Sequence, residues 1–179
     1  DGTCNYCNDV LQRIQKEYHP NAEGKRQLEL IMSKIKSDGT GKEYDCIVGV
    51  SGGLDSTYVL YLGHRYNLRM LAVHIDDGLD TDIAKRNIVS ICDKTQTKLL
   101  SIRPDIEQYR DLLLSFFIAS VPNLAAPQDN IIISELLDAC KKYDIRYSLS
   151  GSNFAMESIL ERSTGINACD KKHINAIHK

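Results

Sequence analysis

Neither sign of charge dominates this sequence: 22 Lys and Arg stand against 24 Asp and Glu, a formal net charge of −2 over 179 residues. No broad basic field is available to hold nucleic acid or an anionic membrane, so any polyanion it binds should be small. No hydrophobic run approaches the ~20 residues of a membrane span. The opening Asp-Gly-Thr-Cys carries neither a signal peptide nor an initiating Met. The expectation is a soluble, cytoplasmic protein, a fragment of a longer chain, with no nucleic-acid or membrane partner. With 42% hydrophobic residues, the chain can bury one sizeable core, and the remainder reads as an appendage.

A disulfide framework is also missing. Cys46, Cys92 and Cys140 fall within apolar patterns, where a free Cys behaves as a small buried hydrophobe, and Cys169 reads as a surface thiol. Cys4 and Cys7, in "CNYC", are the one pair by spacing. They form half of a tetrahedral zinc site that no second C-x-x-C or nearby Cys/His pair completes.

Two amphipathic helices are expected before residue 37, with Leu28, Ile31 and Ile35 on one face of the second. A polar linker is expected at 37–42. Beyond it, apolar strands at 45–50, 70–76, 98–103 and 146–150 alternate with helical segments at 56–66, 81–94, 106–119 and 131–143. That alternation predicts an α/β fold, a parallel sheet with helices on both faces, and ligand sites at the strands' carboxyl ends. The organisation read from it is an appendage at 1–42, with half a Cys knuckle and two helices, and a nucleotide domain at 43–179, incomplete at its C-terminal end.

The first strand breaks into "SGGLDST". Gly52 and Gly53 let the backbone turn tightly and approach a ligand, while the first amides of the next helix carry partial positive charge. Ser51, Ser56 and Thr57 add hydroxyls, and Asp55 is placed to hold the Mg²⁺ that accompanies a nucleotide. The plain alternative is a turn in which Asp55 and Ser56 cap the helix. The loop lacks the G-x-x-x-x-G-K-[ST] of a Walker A motif and is not G-x-G-x-x-G.

S-G-G-x-D-S/T after a strand resembles the PP-loop of the ATP pyrophosphatases, enzymes that cleave ATP to AMP and pyrophosphate. The resemblance implies an adenine nucleotide alpha hydrolase-like fold. Many relatives carry Lys where this chain has Leu54, so positive charge would have to come from elsewhere, with Arg162, Lys171, Lys172 and Lys179 as candidates. The second strand ends in "AVHIDDGLD", where the resemblance places Asp76 against a ribose hydroxyl or a metal. The alternative there is an Asp77-Gly78 turn with Asp80 capping a helix, and His74 reads as structural.

"GTCNYC", "SVPNLAAPQDNIIISEL", "SLSGSNFAMESIL" and "DKKHINAIHK", taken in order with "DCIVGVSGGLDST", resemble the N-acetyl sugar amidotransferases of bacterial surface-polysaccharide (lipopolysaccharide O-antigen) synthesis. These make the acetamidino sugars of pseudaminic, legionaminic and related pathways. What the resemblance implies is ATP-dependent adenylation of an acetamido sugar's amide oxygen, then displacement of AMP by ammonia from a separate class I glutaminase subunit. It implies catalytic roles for Asp55, Asp129 and Glu157, nucleotide contacts from Ser51, Gly52, Gly53, Asp55, Ser56, Thr57, Asp76 and Gly151, and substrate contacts from Asn153, Glu157, Asp170, His173 and Lys179. ATP and Mg²⁺ are the expected cofactors, with Zn²⁺ at Cys4 and Cys7 in the full-length protein. Self-association into a homo-oligomer is compatible with the sequence.

Plain readings stand beside these: Asp129 as the cap of a helix from Ile131 after a long connection holding Gln128, and Gly151 and Asn153 as an ordinary loop and cap. His173 and His178 fall on different helical faces, which argues against a shared metal. The match weakens at "LERSTGINACD". Rival readings are a tRNA sulfurtransferase, a synthetase making GMP, NAD or asparagine, and an inactive nucleotide-binding subunit of a glycan-assembly complex.

Overall fold

The computed structural model of the chain describes residues 2–121, 123–152 and 169–178. The elements in chain order are α1 (Asn5–Glu17), α2 (Ala22–Asp38), β1 (Cys46–Gly49), α3 (Leu54–Arg65), β2 (Met70–Ile75) and α4 (Asp82–Thr95). They continue with β3 (Lys98–Ile102), α5 (Ile106–Ile118), α6 (Ala126–Lys142), β4 (Ser148–Leu149) and α7 (Lys171–Ile177). All strand pairings are parallel, in the order β3-β2-β1-β4.

Both faces of the sheet are covered, which is why its central strands read as unbroken apolar runs. Alternation along β1 and β2 sends Cys46, Val48, Val50, Met70 and Ala72 to one face. There they meet Met32 and Ile35 of α2, Leu60 of α3, and Ile88 and Cys92 of α4. Ile47, Leu71 and Val73 point the other way, onto Ala139 and the partly buried Leu136 and Cys140 of α6. α1 buries no residue. Burial pushes the Cys46 thiol up to about 12, with the Asp45 charge adding to the effect, so this cysteine is a packing group as expected.

Several boundaries differ from the sequence expectation. α3 begins at Leu54 rather than 56, and α6 at Ala126 rather than 131, because Pro127 sits in its first turn, where a missing N–H costs nothing. Gln128 and Asp129 are therefore helical, and Asp129 is not the cap. β4 shrinks to two residues. The expected linker is partly α2, which runs to Asp38, and the rest is clamped.

That clamp is Arg69. Its guanidinium donates to Gly39 O at 2.6 Å and to Lys42 O, and it pairs with the carboxylate of Asp45, whose side chain is fully buried. Asp45 Oδ2 also accepts from the Arg69 backbone N–H at 2.7 Å. Asp45 thus ties the entry of β1 to the entry of β2. Replacing Asp45 with Ala should lower the unfolding free energy by about 2 kcal/mol, since charged hydrogen bonds are lost but the half-exposed Arg69 can rehydrate. Urea titration measures it, and a midpoint equal to wild type would contradict the clamp.

Candidate nucleotide cleft

After β3 the chain crosses back to place β4 beside β1, so the sheet has its switch point between β1 and β4. A cleft of about 410 Å³ opens there, at the carboxyl ends of β1, β2 and β4. Ser51, Asp55 and Ser56 form one side and Ser148, Ser150 and Gly151 another. His74, Asp77 and Asp80 lie at the end of β2, and Gln128, Ile132 and Leu136 of α6 close it.

The loop after β1 is shaped for an anion. Gly53 occupies the N-cap of α3 without a side-chain cap bond. The hydroxyls beside it face carbonyls instead: Thr57 Oγ1 donates to Gly53 O at 2.7 Å and Ser56 Oγ to the same oxygen at 3.3 Å. Ser51 N–H in turn donates to Ser56 Oγ at 3.3 Å. The Gly53 N–H donates to Ser51 Oγ at 3.4 Å, the alternative in which Asp55 and Ser56 cap the helix is absent, and the first-turn amides of α3 are left to face a ligand. No side chain among the described residues pairs with the exposed Asp55 carboxylate, so its chemistry suits a hard cation such as Mg²⁺.

Two glycines fit the loop into its surroundings. Gly52 has φ +75°, and a Cβ there would lie 2.4 Å from Ala84 O at the start of α4. A Cβ on Gly151 would lie 2.9 Å from Ser56 N, so only glycine lets the loop after β4 press against the first turn of α3. Asn87 Nδ2 of α4 donates to Gly52 O at 3.1 Å, holding the loop from behind.

The end of β2 is arranged differently from the expectation. Asp77, buried, lines the cleft, whereas Asp76 continues the sheet through its N–H to Ile102 O at 2.8 Å and lies outside the lining. Asp80 is not the cap of α4, which is Thr81. It instead faces His74 Nε2 at 3.0 Å, while His74 Nδ1 lies 3.0 Å from Val50 O. The buried His74 thus bridges the residue before the glycine loop and the loop after β2, and it lines the cleft rather than filling the core. Strand alternation identified it as buried but could not name these partners.

Asp129 lies outside the cleft lining, and desolvation raises its carboxyl above the usual range. Its neighbour Gln128 is inside, in helical register with Ile132 and Leu136. Counting that register back from Ile132 is the sequence signal that would have selected Gln128 over Asp129.

Asp170 caps α7, accepting from the Lys172 and His173 amides at 2.9 and 3.1 Å. His173 meets the ring of the buried Phe116 edge-on, and His178 Nε2 lies 2.6 Å from Asp111 Oδ2, so the two histidines serve separate contacts on α5. Asn153, Glu157, Arg162 and Lys179 lie outside the described residues. Lys171 and Lys172 are exposed on α7, and among the described residues no Lys or Arg lines the cleft. Leu54, in the first turn of α3, is 83% exposed. A basic residue near the loop, Lys94, lies on its far side, in a smaller cavity with Gly52, Gly53 and Asn87.

Cys4 and Cys7 face each other with Sγ atoms 3.4 Å apart. The Cys7 backbone N–H lowers the Cys4 thiol, and Cys4 raises that of Cys7. Among the described residues no group of three His, Cys, Asp or Glu side chains could hold a metal, so the expected zinc site finds no support in the fold. Among the same residues no helix is long and apolar enough to cross a membrane.

No family model matches the chain. No curated protein matches it either. Solved structures do. One is titled NMN synthetase from Francisella tularensis, with 16% identity, TM-score 0.51, and coverage of 68% of this chain and 52% of that one. Another is the NH3-dependent NAD synthetase from Campylobacter jejuni subsp. jejuni NCTC 11168 in complex with the nitrate ion, with 18% identity, TM-score 0.49, and coverage of 68% and 54%. The chain spans about half the length of these structures. At this identity the likeness speaks to architecture alone: the chain shares a parallel α/β fold with the Francisella tularensis structure.

Proposed function

We propose that the chain is the ATP-binding domain of an AMP-forming amidotransferase whose acceptor is the N-acetyl group of a sugar. The observation that carries the nucleotide part is the start of α3, which has no side-chain cap and whose Asp55 and Ser56 line the cleft with Ser51 at the β1/β4 switch point. The motif series from "GTCNYC" to "DKKHINAIHK" supports the sugar acceptor.

In this reading the acceptor's amide oxygen bonds to the α-phosphorus of ATP and pyrophosphate departs. Ammonia then adds to the imidate carbon and AMP leaves, giving an acetamidine. An amide oxygen is a poor leaving group, and adenylation converts it into a good one. The first-turn amides of α3 at Asp55 and Ser56, which line the cleft, would hold the polyphosphate, while Gly52 and Gly53 shape the loop from its far side. Asp55 would hold Mg²⁺, which offsets the charge developing on the departing pyrophosphate. Among the described residues no Lys or Arg lines the cleft, so within that lining the electrostatic work is done by backbone dipoles and the cation. A class I glutaminase subunit would supply the ammonia.

The test is pyrophosphate release by the purified chain with Mg-ATP, an N-acetylated amino sugar on a nucleoside diphosphate, and ammonium. Release should require the sugar, continued turnover should require ammonium as well, and the sugar product should be lighter by the mass difference between O and NH. Release indifferent to the sugar would remove the acceptor assignment.

A further inference from the structure

Asp77 and Gln128 lock one another in a way that fixes what the cleft can recognise. The Asp77 carboxylate accepts from Leu79 N–H through Oδ1 at 2.9 Å and from Gln128 Nε2 through Oδ2 at 2.6 Å. A carboxylate only accepts, so the Gln128 amide has one admissible orientation, with its nitrogen toward Asp77 and its carbonyl oxygen turned away. Tyr109 reinforces this arrangement. Buried on α5, its hydroxyl is pushed up by desolvation and then by the charge of Asp77 beside it. Among the described residues no donor is bonded to Gln128 Oε1.

Gln128 stands at one end of an apolar stripe. Ile132 and Leu136 follow it at successive i+4 steps on the same face of α6, and all three line the cleft. A flat ring laid on Ile132 and Leu136 would turn an edge toward Gln128, and what it meets there is a fixed acceptor. We infer that Gln128 is a specificity residue that reads an exocyclic amino group on a nucleobase, and that Asp77 is the positioning residue that sets its sense. Adenine offers the donor. Hypoxanthine, with a 6-oxo group in its place, sets oxygen against oxygen and leaves Gln128 Oε1 unpaired. The inference rests on the nucleotide reading of the cleft.

Isothermal titration with Mg²⁺ and the α,β-methylene analogues of ATP and ITP separates the two. Wild type should bind the ATP analogue at least about tenfold more tightly than the ITP analogue, the scale of one satisfied against one unsatisfied hydrogen bond. Asp77→Asn is nearly isosteric. With its oxygen kept on Leu79 N–H, its amide must donate to Gln128, which turns the Gln128 nitrogen into the cleft. The preference should then fall by about tenfold or invert toward ITP. Gln128→Met should bind both analogues about equally, and it decides the matter if Asp77→Asn does not fold. A merely structural role for Asp77 would weaken both analogues alike. Wild type binding the two within about twofold, or a folded Asp77→Asn or Gln128→Met with the preference intact, would overturn the inference while leaving the nucleotide site standing. No affinity for either analogue would overturn the nucleotide site, and the inference with it.

Discussion

Asp55→Asn should abolish pyrophosphate release while the chain stays folded. Asp55 lies in the first turn of α3, lines the cleft, and has no side-chain partner among the described residues, so no packing or ion pair is lost with its charge. What is lost is the carboxylate assigned to the metal. The fall in turnover should be at least about a hundredfold, the order seen when one strong electrostatic stabiliser leaves an active site. Stability should move little: a carboxylate near a helix N-terminus contributes about 0.3–1 kcal/mol through the dipole. Circular dichroism and urea titration check the fold, and a coupled pyrophosphate assay checks the activity. A variant that turns over within about twofold of wild type would take Asp55 out of the mechanism.

The same stretch shows why some of the site can be read from sequence and some cannot. Residues 45–57 declare themselves locally: an apolar run, a Gly-Gly break and hydroxyls at fixed offsets leave few conformations open, and β1, its loop and α3 follow in that order. Gly151 is among the nucleotide contacts the resemblance implies, and the reason it must be glycine is a close approach to Ser56, which lies far from it along the chain. Arg69 gave no local signal at all, since its partners lie in the turn after α2 and at the start of β1. Pro127 misled for a physical reason. Proline breaks a helix interior but suits a first turn, and no local pattern tells the two apart when the preceding residues are small and apolar. Asp76 and Asp77 are adjacent acids at a strand end. Only the hydrogen bonds from Leu79 and Gln128 decide which of them turns into the cleft.

Gly52→Ala should be the most damaging single-methyl change in the loop, and Gly53→Ala next to it should be mild. Gly52 holds φ +75°, where an L-residue is strained by about 1–3 kcal/mol, and its new Cβ would lie 2.4 Å from Ala84 O. That neighbour is helical backbone, which cannot swing aside as a side chain would. Relief requires the loop to lift off α4, which also breaks the bond from Asn87 Nδ2 to Gly52 O. The expected cost is about 2–4 kcal/mol in unfolding free energy, with nucleotide affinity reduced at least about a hundredfold because the α3 amides no longer present to one point. Gly53 has φ −79°, and a Cβ there would meet only Ser51 Oγ, at 3.4 Å. Alanine fits that backbone, so stability should hold within about 1 kcal/mol. Urea titration and isothermal titration with an ATP analogue compare the two variants. If they behave alike, the loop is not held against α4 as described; if only Gly52→Ala fails, the close approach of two backbones is what shapes the anion site.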